Sequence, residues 1–140
     1  MTAFRHGYPT MKILQPADWA KPRGYANGIA ARGTQVFVAG QIGWDAQCNF
    51  VSDDFLPQAV QALKNIVAVL AEAGAGPQHI TRMTWYVTDK RAYLEAGREL
   101  GAAYREIMGK NFPAMTAVQV TALIEDRAKV EIEVTAVVPD

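Results

Sequence analysis

The stretch DFLPQAVQALKNIVAVLAEAGAGP, residues 54–77, decides the architecture. Leu56, Val60, Leu63, Val67 and Leu70 recur at spacings of four, three, four and three, the rhythm of one face of an α-helix. Ala59, Ala62, Ile66, Val69 and Ala73 line the neighbouring strip, so the apolar face is wide. Gln58, Gln61, Asn65 and Glu72 fall on the strip that remains. The pattern predicts a helix from about Asp54 to Ala73. Ser52, Asp53 and Asp54 offer acceptors and negative charge to its first turn. Gly74, Gly76 and Pro77 stop it, since glycine accepts a left-handed cap and proline cannot continue the helix.

On either side of this helix the period changes to that of a strand. Upstream, Lys12 to Leu14 reads as a short strand, Asn27 to Ala31 as a second and Gln35 to Ala39 as a third. Arg32-Gly33 is a turn, so the last two make an expected hairpin. Ile42 to Ser52 has no period and reads as a loop. Downstream, Ile80 to Thr88 alternates Met83, Trp85 and Val87 against Arg82, Thr84 and Tyr86. A second helix is expected from about Arg91 to Met108, ended by Gly109. Ala117 to Leu123 is a strand, and Lys129 to Val138 another. The latter sets Val130, Ile132, Val134, Ala136 and Val138 against Glu131, Glu133 and Thr135. The polar Glu125-Asp126-Arg127 between these two predicts a second hairpin. The order β-β-β-α-β-α-β-β makes residues 11–140 one α+β domain, an open sheet with both helices packed on one face, after an N-terminal extension over residues 1–10. The other face carries apolar candidates, notably Leu123 and Val137, which points to oligomerisation.

Composition excludes several classes of function. Fourteen basic residues balance fourteen acidic ones, so no net field draws the chain to nucleic acid or to a membrane surface. Cys48 is the single cysteine, which excludes an intrachain disulfide scaffold. Residues 1–10 lack the apolar core of a signal peptide, and no apolar run approaches a membrane span, so a cytosolic protein is the default expectation. His6 and His79 are the only histidines, and no cluster has metal-ligand spacing. There is no phosphate loop and no dinucleotide-binding turn. Neither metal nor cofactor is expected. Ser52, the only serine, is accounted for as a helix cap rather than a nucleophile.

An ordered set of short motifs resembles the RidA/YjgF family. Ala39-Gly40-Gln41-Ile42 is similar to its strand-ending Ser-Gly-Gln-Ile, and the Gln58 to Ile66 segment to its Gln…Gln-x-Leu-x-Asn helix opening. Ala73-Gly74-Ala75 resembles the end of that helix, and Phe112-Pro113-Ala114 and Val130-Glu131-Ile132-Glu133 resemble the closing signatures. The match runs in order from about Met11 to Val138. The resemblance implies a chorismate-mutase-like α+β fold with a mixed sheet. It also implies a homotrimer with sheets packed at its centre, and small-molecule clefts between subunits. Its best-known members hydrolyse enamines and imines such as 2-aminoacrylate to a ketone and ammonia.

That chemistry needs a cation for the substrate carboxylate, best a bidentate arginine, and a water held against the imine carbon. In the deaminases the arginine follows Pro-Ala; here that position is Met115, which has neither charge nor strong donor. A second departure is Gly97, where they carry an asparagine. Glu131 matches the water-positioning glutamate, and otherwise reads as a solvated carboxylate on a strand. Tyr25 matches a cleft tyrosine or is an aromatic packed at a strand start. Arg23 either supplies the missing cation or is a surface arginine. Gly40 and Gln41 end a strand that feeds the cleft, where glycine lets backbone approach a ligand or simply turns the chain. Two functions follow. One is hydrolytic deamination of an enamine or imine other than a 2-imino acid, for example a 2-aminomuconate-type substrate. The other is a non-catalytic, ligand-binding or chaperone-like trimer with an apolar intersubunit cleft.

Overall fold

The computed structural model describes residues 10–140. Residues 1–9, and with them nearly all of the expected N-terminal extension, lie outside the described residues. The chain forms β1 (Met11–Leu14), β2 (Gly28–Ala31), β3 (Thr34–Gln41), α1 (Phe55–Glu72), β4 (Ile80–Val87), α2 (Lys90–Glu95), α3 (Gly97–Met108), β5 (Ala114–Gln119) and β6 (Val130–Val138). β1 and β2 pair as a small antiparallel ribbon, and the other four strands form a mixed sheet in the order β3-β6-β4-β5. α1 and α3 pack on each other, and α1 also lies against β3 and β6.

The helical period of α1 and the alternation of β4 and β6 meet in one core. Ala59, Ala62, Leu63, Ile66 and Leu70 are fully buried and face Met83, Trp85 and Val87 of β4 and Val130, Ile132, Val134 and Ala136 of β6. Each large aliphatic side chain withdrawn from water here contributes about 1.5–3 kcal/mol. Asp54 occupies the N-cap position of α1, but its side chain caps nothing; its own N–H is taken by Ser52 Oγ at 2.9 Å. At the other end Gly74 adopts φ 66°, and Gly74 N–H and Ala75 N–H donate to Ala71 O and Leu70 O, the paired closure of a Schellman cap.

Three expectations of connectivity are corrected. Ala117–Leu123 and β6 do not form a hairpin: the strand is Ala114–Gln119, it pairs parallel to β4, and β6 lies between β3 and β4. The reason lies in burial. One face of β6 is buried from Val130 to Ala136, so it takes the centre, whereas β5, half-buried to exposed along its length, takes the edge. Residues 120–129 therefore carry the chain past β4 rather than folding it straight back. β2 and β3 are not a hairpin either, because β2 pairs with β1 and β3 with β6. Gly33 is needed at their junction for φ 146° and for contact with β6, where a Cβ would overlap Val138 O. The second helix divides into α2 and α3 at Ala96, whose ψ of −1° has left the helical range.

The outer face of the sheet is more polar than expected. Glu131, Glu133 and Thr135 of β6 share it with Arg82, Thr84 and Tyr86 of β4. Val137 lies there, but Leu123 falls in the loop after β5. The apolar surface that does stand out on this face is Phe37, 71% exposed, with Val118 at 42%. No helix among the described residues is long and apolar enough to cross a membrane.

Candidate functional site

The expected site residues gather in two places. The first is the end of β3. The ladder between β3 and β6 shifts between Val38 and Gln41, and Gly40 sits in that irregularity. A Cβ at Gly40 would overlap Oε2 of Glu131 and stand 2.7 Å from its Cδ and 2.8 Å from its Cγ. The Glu131 carboxylate therefore lies on the bare backbone of Gly40, a close approach that only glycine permits. Gln41 turns back on its own strand, its Nε2 donating to Ala39 O at 3.1 Å. Across the face, Tyr86 donates its hydroxyl proton to Glu133 at 2.8 Å. The Tyr86 pKa is raised, first by that hydrogen bond, then by burial and by the charges of Glu133 and Glu131. This face thus carries two neighbouring carboxylates and a phenol held in its protonated form.

The second place is on the helix side of the sheet. Ala26 N–H donates to Pro113 O at 2.9 Å and Ala26 bridges to Ala114, which fixes the Arg23-Gly24-Tyr25 loop beside Met115. Met115 stands level with Met83 in the β4–β5 register and packs against the core. Arg23 and Met115 line one open-mouthed cavity of about 340 Å³ together with Trp85, Tyr93, Leu100, Tyr104, Arg105 and Phe112. Tyr25 itself is 41% exposed and does not line it.

One protomer does not join the two places. Glu131 is level with Tyr86 and Val118, and Met115 with Met83 and Val134. The two side chains are therefore offset by two strand spacings and three residues, roughly 10 Å in each direction, and they project from opposite faces of the sheet.

Gln58 and Asn65, on the polar strip of α1, bond to backbone outside the helix. Gln58 is fully buried. Its Nε2 donates to Ser52 O at 2.9 Å and Arg127 O at 3.0 Å, and its Oε1 accepts from Lys129 N–H at 2.8 Å. Asn65 donates to Ile42 O and Trp44 O and accepts from Gln61. One polar strip thus ties the loop after β3 and the start of β6 to the helix, and so sets where Gly40 and Glu131 meet.

Residues 19–138 match the family model described as Endoribonuclease L-PSP. The chain belongs to the RidA/YjgF family. A RutC family protein of Synechocystis is 36% identical over 133 residues, covering 93% of this chain and 98% of that one. A protein of Salmonella typhimurium named 2-iminobutanoate/2-iminopropanoate deaminase is 33% identical over 81% of this chain and 86% of its own. The Rid protein YyfB of Yersinia pestis shares the fold, with a TM-score of 0.80, 27% identity, and coverage of 92% of this chain and 99% of that one. The RidA/YjgF family thus includes imine deaminases, and this member sets Met115 into a cavity whose aromatic lining sequence reading missed. Tyr93, Leu100 and Tyr104 keep helical spacing, which sequence alone assigns to core; the breadth of that cavity is visible only once α2 and α3 are separated.

Proposed function

We propose that this RidA/YjgF protein binds a small metabolite at the boundary between copies of itself in a homotrimer. There it hydrolyses an enamine or imine outside the small 2-imino acids, a 2-aminomuconate-type substrate being one example. Glu131, with Gly40 leaving room for its carboxylate, supports this reading most directly. A carboxylate seated on bare backbone has few positions open to it, as a water-orienting group requires. Water oxygen adds to the imine carbon as Glu131 takes one proton and returns it to nitrogen, giving a carbinolamine; the carbinolamine hydroxyl then gives its proton, by way of Glu131, to the same nitrogen, the C–N bond breaks, ammonia leaves and the carbonyl remains. An enamine is first protonated on carbon. The separation of Glu131 from the Met115 cavity within one protomer supports a site completed by a second copy, and the exposed Phe37 offers that copy an apolar contact.

Met115 supports the choice of substrate. A guanidinium that grips a carboxylate is worth roughly 2–5 kcal/mol, and a thioether supplies none of it. Gly40, Gln41 and Glu131 would act from one subunit, with Arg23, Tyr25 and Met115 facing them from the next. Ammonia release from a panel of imines and enamines generated in situ tests the reading. At least one conjugated member should be hydrolysed well above the buffer rate, and Glu131→Gln should abolish the excess. A wild-type protein no faster than buffer across the panel would leave the second reading, a ligand-binding trimer without chemistry, which the apolar lining around Met115 favours. Light scattering should give three times the chain mass; a monomer would remove the intersubunit site. RNA incubated with the protein should stay intact, since the balanced charge offers it no field.

A further inference from the structure

The cavity around Met115 has its own chemistry. Its lining includes the rings of Trp85, Tyr93, Tyr104 and Phe112, with Tyr104 and Phe112 stacked at 5.7 Å and Trp85 and Tyr93 edge to face at 6.0 Å. Two cations share that lining, Arg23 from the loop before β2 and Arg105 from α3. Neither has a carboxylate partner within salt-bridge distance among the described residues. Arg105 lies back along its own helix, its Nη1 3.4 Å from where a Gly101 Cβ would stand. Gly97, on the same wall, has nothing within 4 Å of such an atom. Trp85 is 2% exposed, and its Nε1 is buried without a hydrogen-bond partner among the described residues. An N–H taken from water and given no acceptor is an uncompensated loss. The fold has left a donor, two guanidinium groups and a ring-lined space together.

We infer that this cavity takes an aromatic monocarboxylate, its ring against the Tyr104–Phe112 stack and its carboxylate between Arg23 and Arg105. A cationic ligand is excluded by the two arginines. A small aliphatic acid leaves the rings bare. The volume, about 340 Å³, is at the lower end of small-molecule sites and fits one ring with a short acidic arm. The loss of charge at Met115 is then a change of grip, with thioether surface for the ring and the cation moved to the rim. The inference shares the Met115 cavity with the function proposed above but does not depend on turnover by Glu131.

The test is titration of the full-length protein with 3-phenylpropionate, 3-phenylpropanol and propionate, read by calorimetry and by the Trp85 indole N–H resonance, assigned with Trp85→Phe. The acid with the ring should bind at least tenfold more tightly than either the alcohol or propionate, and should move the Trp85 resonance. Arg23→Ala combined with Arg105→Ala should reduce that affinity at least tenfold. Gly97→Leu, which adds bulk where the wall is open, should also weaken it, and serves if the double variant does not fold. Equal binding of acid and alcohol, or binding that leaves the Trp85 resonance in place, overturns the inference. The two readouts separate the two ideas: hydrolysis without 3-phenylpropionate binding overturns this inference alone, and binding without hydrolysis overturns the proposed reaction alone.

Discussion

Gly40→Ala is the sharpest test of the carboxylate arrangement. Nothing forbids alanine on backbone grounds, because Gly40 is not among the residues with positive φ. The conflict is with one side chain. The three atoms nearest the new methyl all belong to Glu131: Oε2, which it would overlap, Cδ at 2.7 Å and Cγ at 2.8 Å. Ordinary contact is about 3.5 Å or more, so the carboxylate must retreat by roughly 1 Å. A flexible glutamate does this by leaving its preferred rotamer, at about 0.5–1.5 kcal/mol. The lower entropy of the unfolded chain returns about 0.4–1 kcal/mol. Stability should therefore stay within about 1 kcal/mol of wild type in urea denaturation. Turnover should not survive as well, since a misplacement of about 1 Å costs on the order of 100-fold. The assay is kcat/KM for ammonia release on whichever imine the wild type hydrolyses. Turnover that stays unchanged in Gly40→Ala would refute the argument.

Other outcomes follow from the same geometry. Gln58→Leu leaves Lys129 N–H and two backbone carbonyls without their buried partner and should lower stability by roughly 2–4 kcal/mol, read as a shift in the urea midpoint. Gly33→Ala must overlap Val138 O at φ 146° and should cost upwards of about 2 kcal/mol. Gly97→Ala meets nothing within 4 Å and should gain up to about 1 kcal/mol; the two melts should move in opposite directions. Burial raises the Tyr104 pKa well above its ordinary value of 10.0 and raises that of Tyr93 too. The folded state therefore holds phenol protons that the unfolded chain releases. Stability should be intact below pH 10 and fall as the pH rises beyond it, by up to about 1.4 kcal/mol per unit for Tyr104. Urea midpoints between pH 9 and 11 measure that slope, and Tyr104→Phe should flatten it.

The sequence is most legible where one residue period speaks for one surface. The spacing from Leu56 to Leu70 placed α1 to within a residue or so at each end, and the alternation of β4 and β6 named the core-facing side chains. Strand order was not legible. Glu125-Asp126-Arg127 has the look of a tight turn, but which strand β6 joins depends on which face α1 needs covered, and that is a property of the assembled layers. Gln58 shows the same limit at a single residue: the helical period placed it on the polar strip, while it is fully buried and its partners include backbone groups 69 and 71 residues away in sequence. The candidate site divided likewise. Motif order picked out Glu131, Gly40 and Met115, with Arg23 added as an alternative cation, yet their separation onto two faces follows from register, and Arg105 carried no signal until α3 set it on the cavity that Arg23 also lines.

The central place of β6 bears on how the chain comes off the ribosome. β6 follows every other strand in the sequence and yet separates β3 from β4 in the sheet. While it is still being synthesised, β3 has no neighbour in the main sheet, and the apolar side of α1 lacks β6, one of the elements it packs on. The domain therefore cannot close progressively from its N-terminus. A nearly complete chain must wait with two strand edges and part of its core open to water, which is the state in which chains meet one another. For a protein proposed to assemble from three copies, the order of events matters. Closure by β6 has to come before association, because an early encounter would join unfinished edges instead of finished faces.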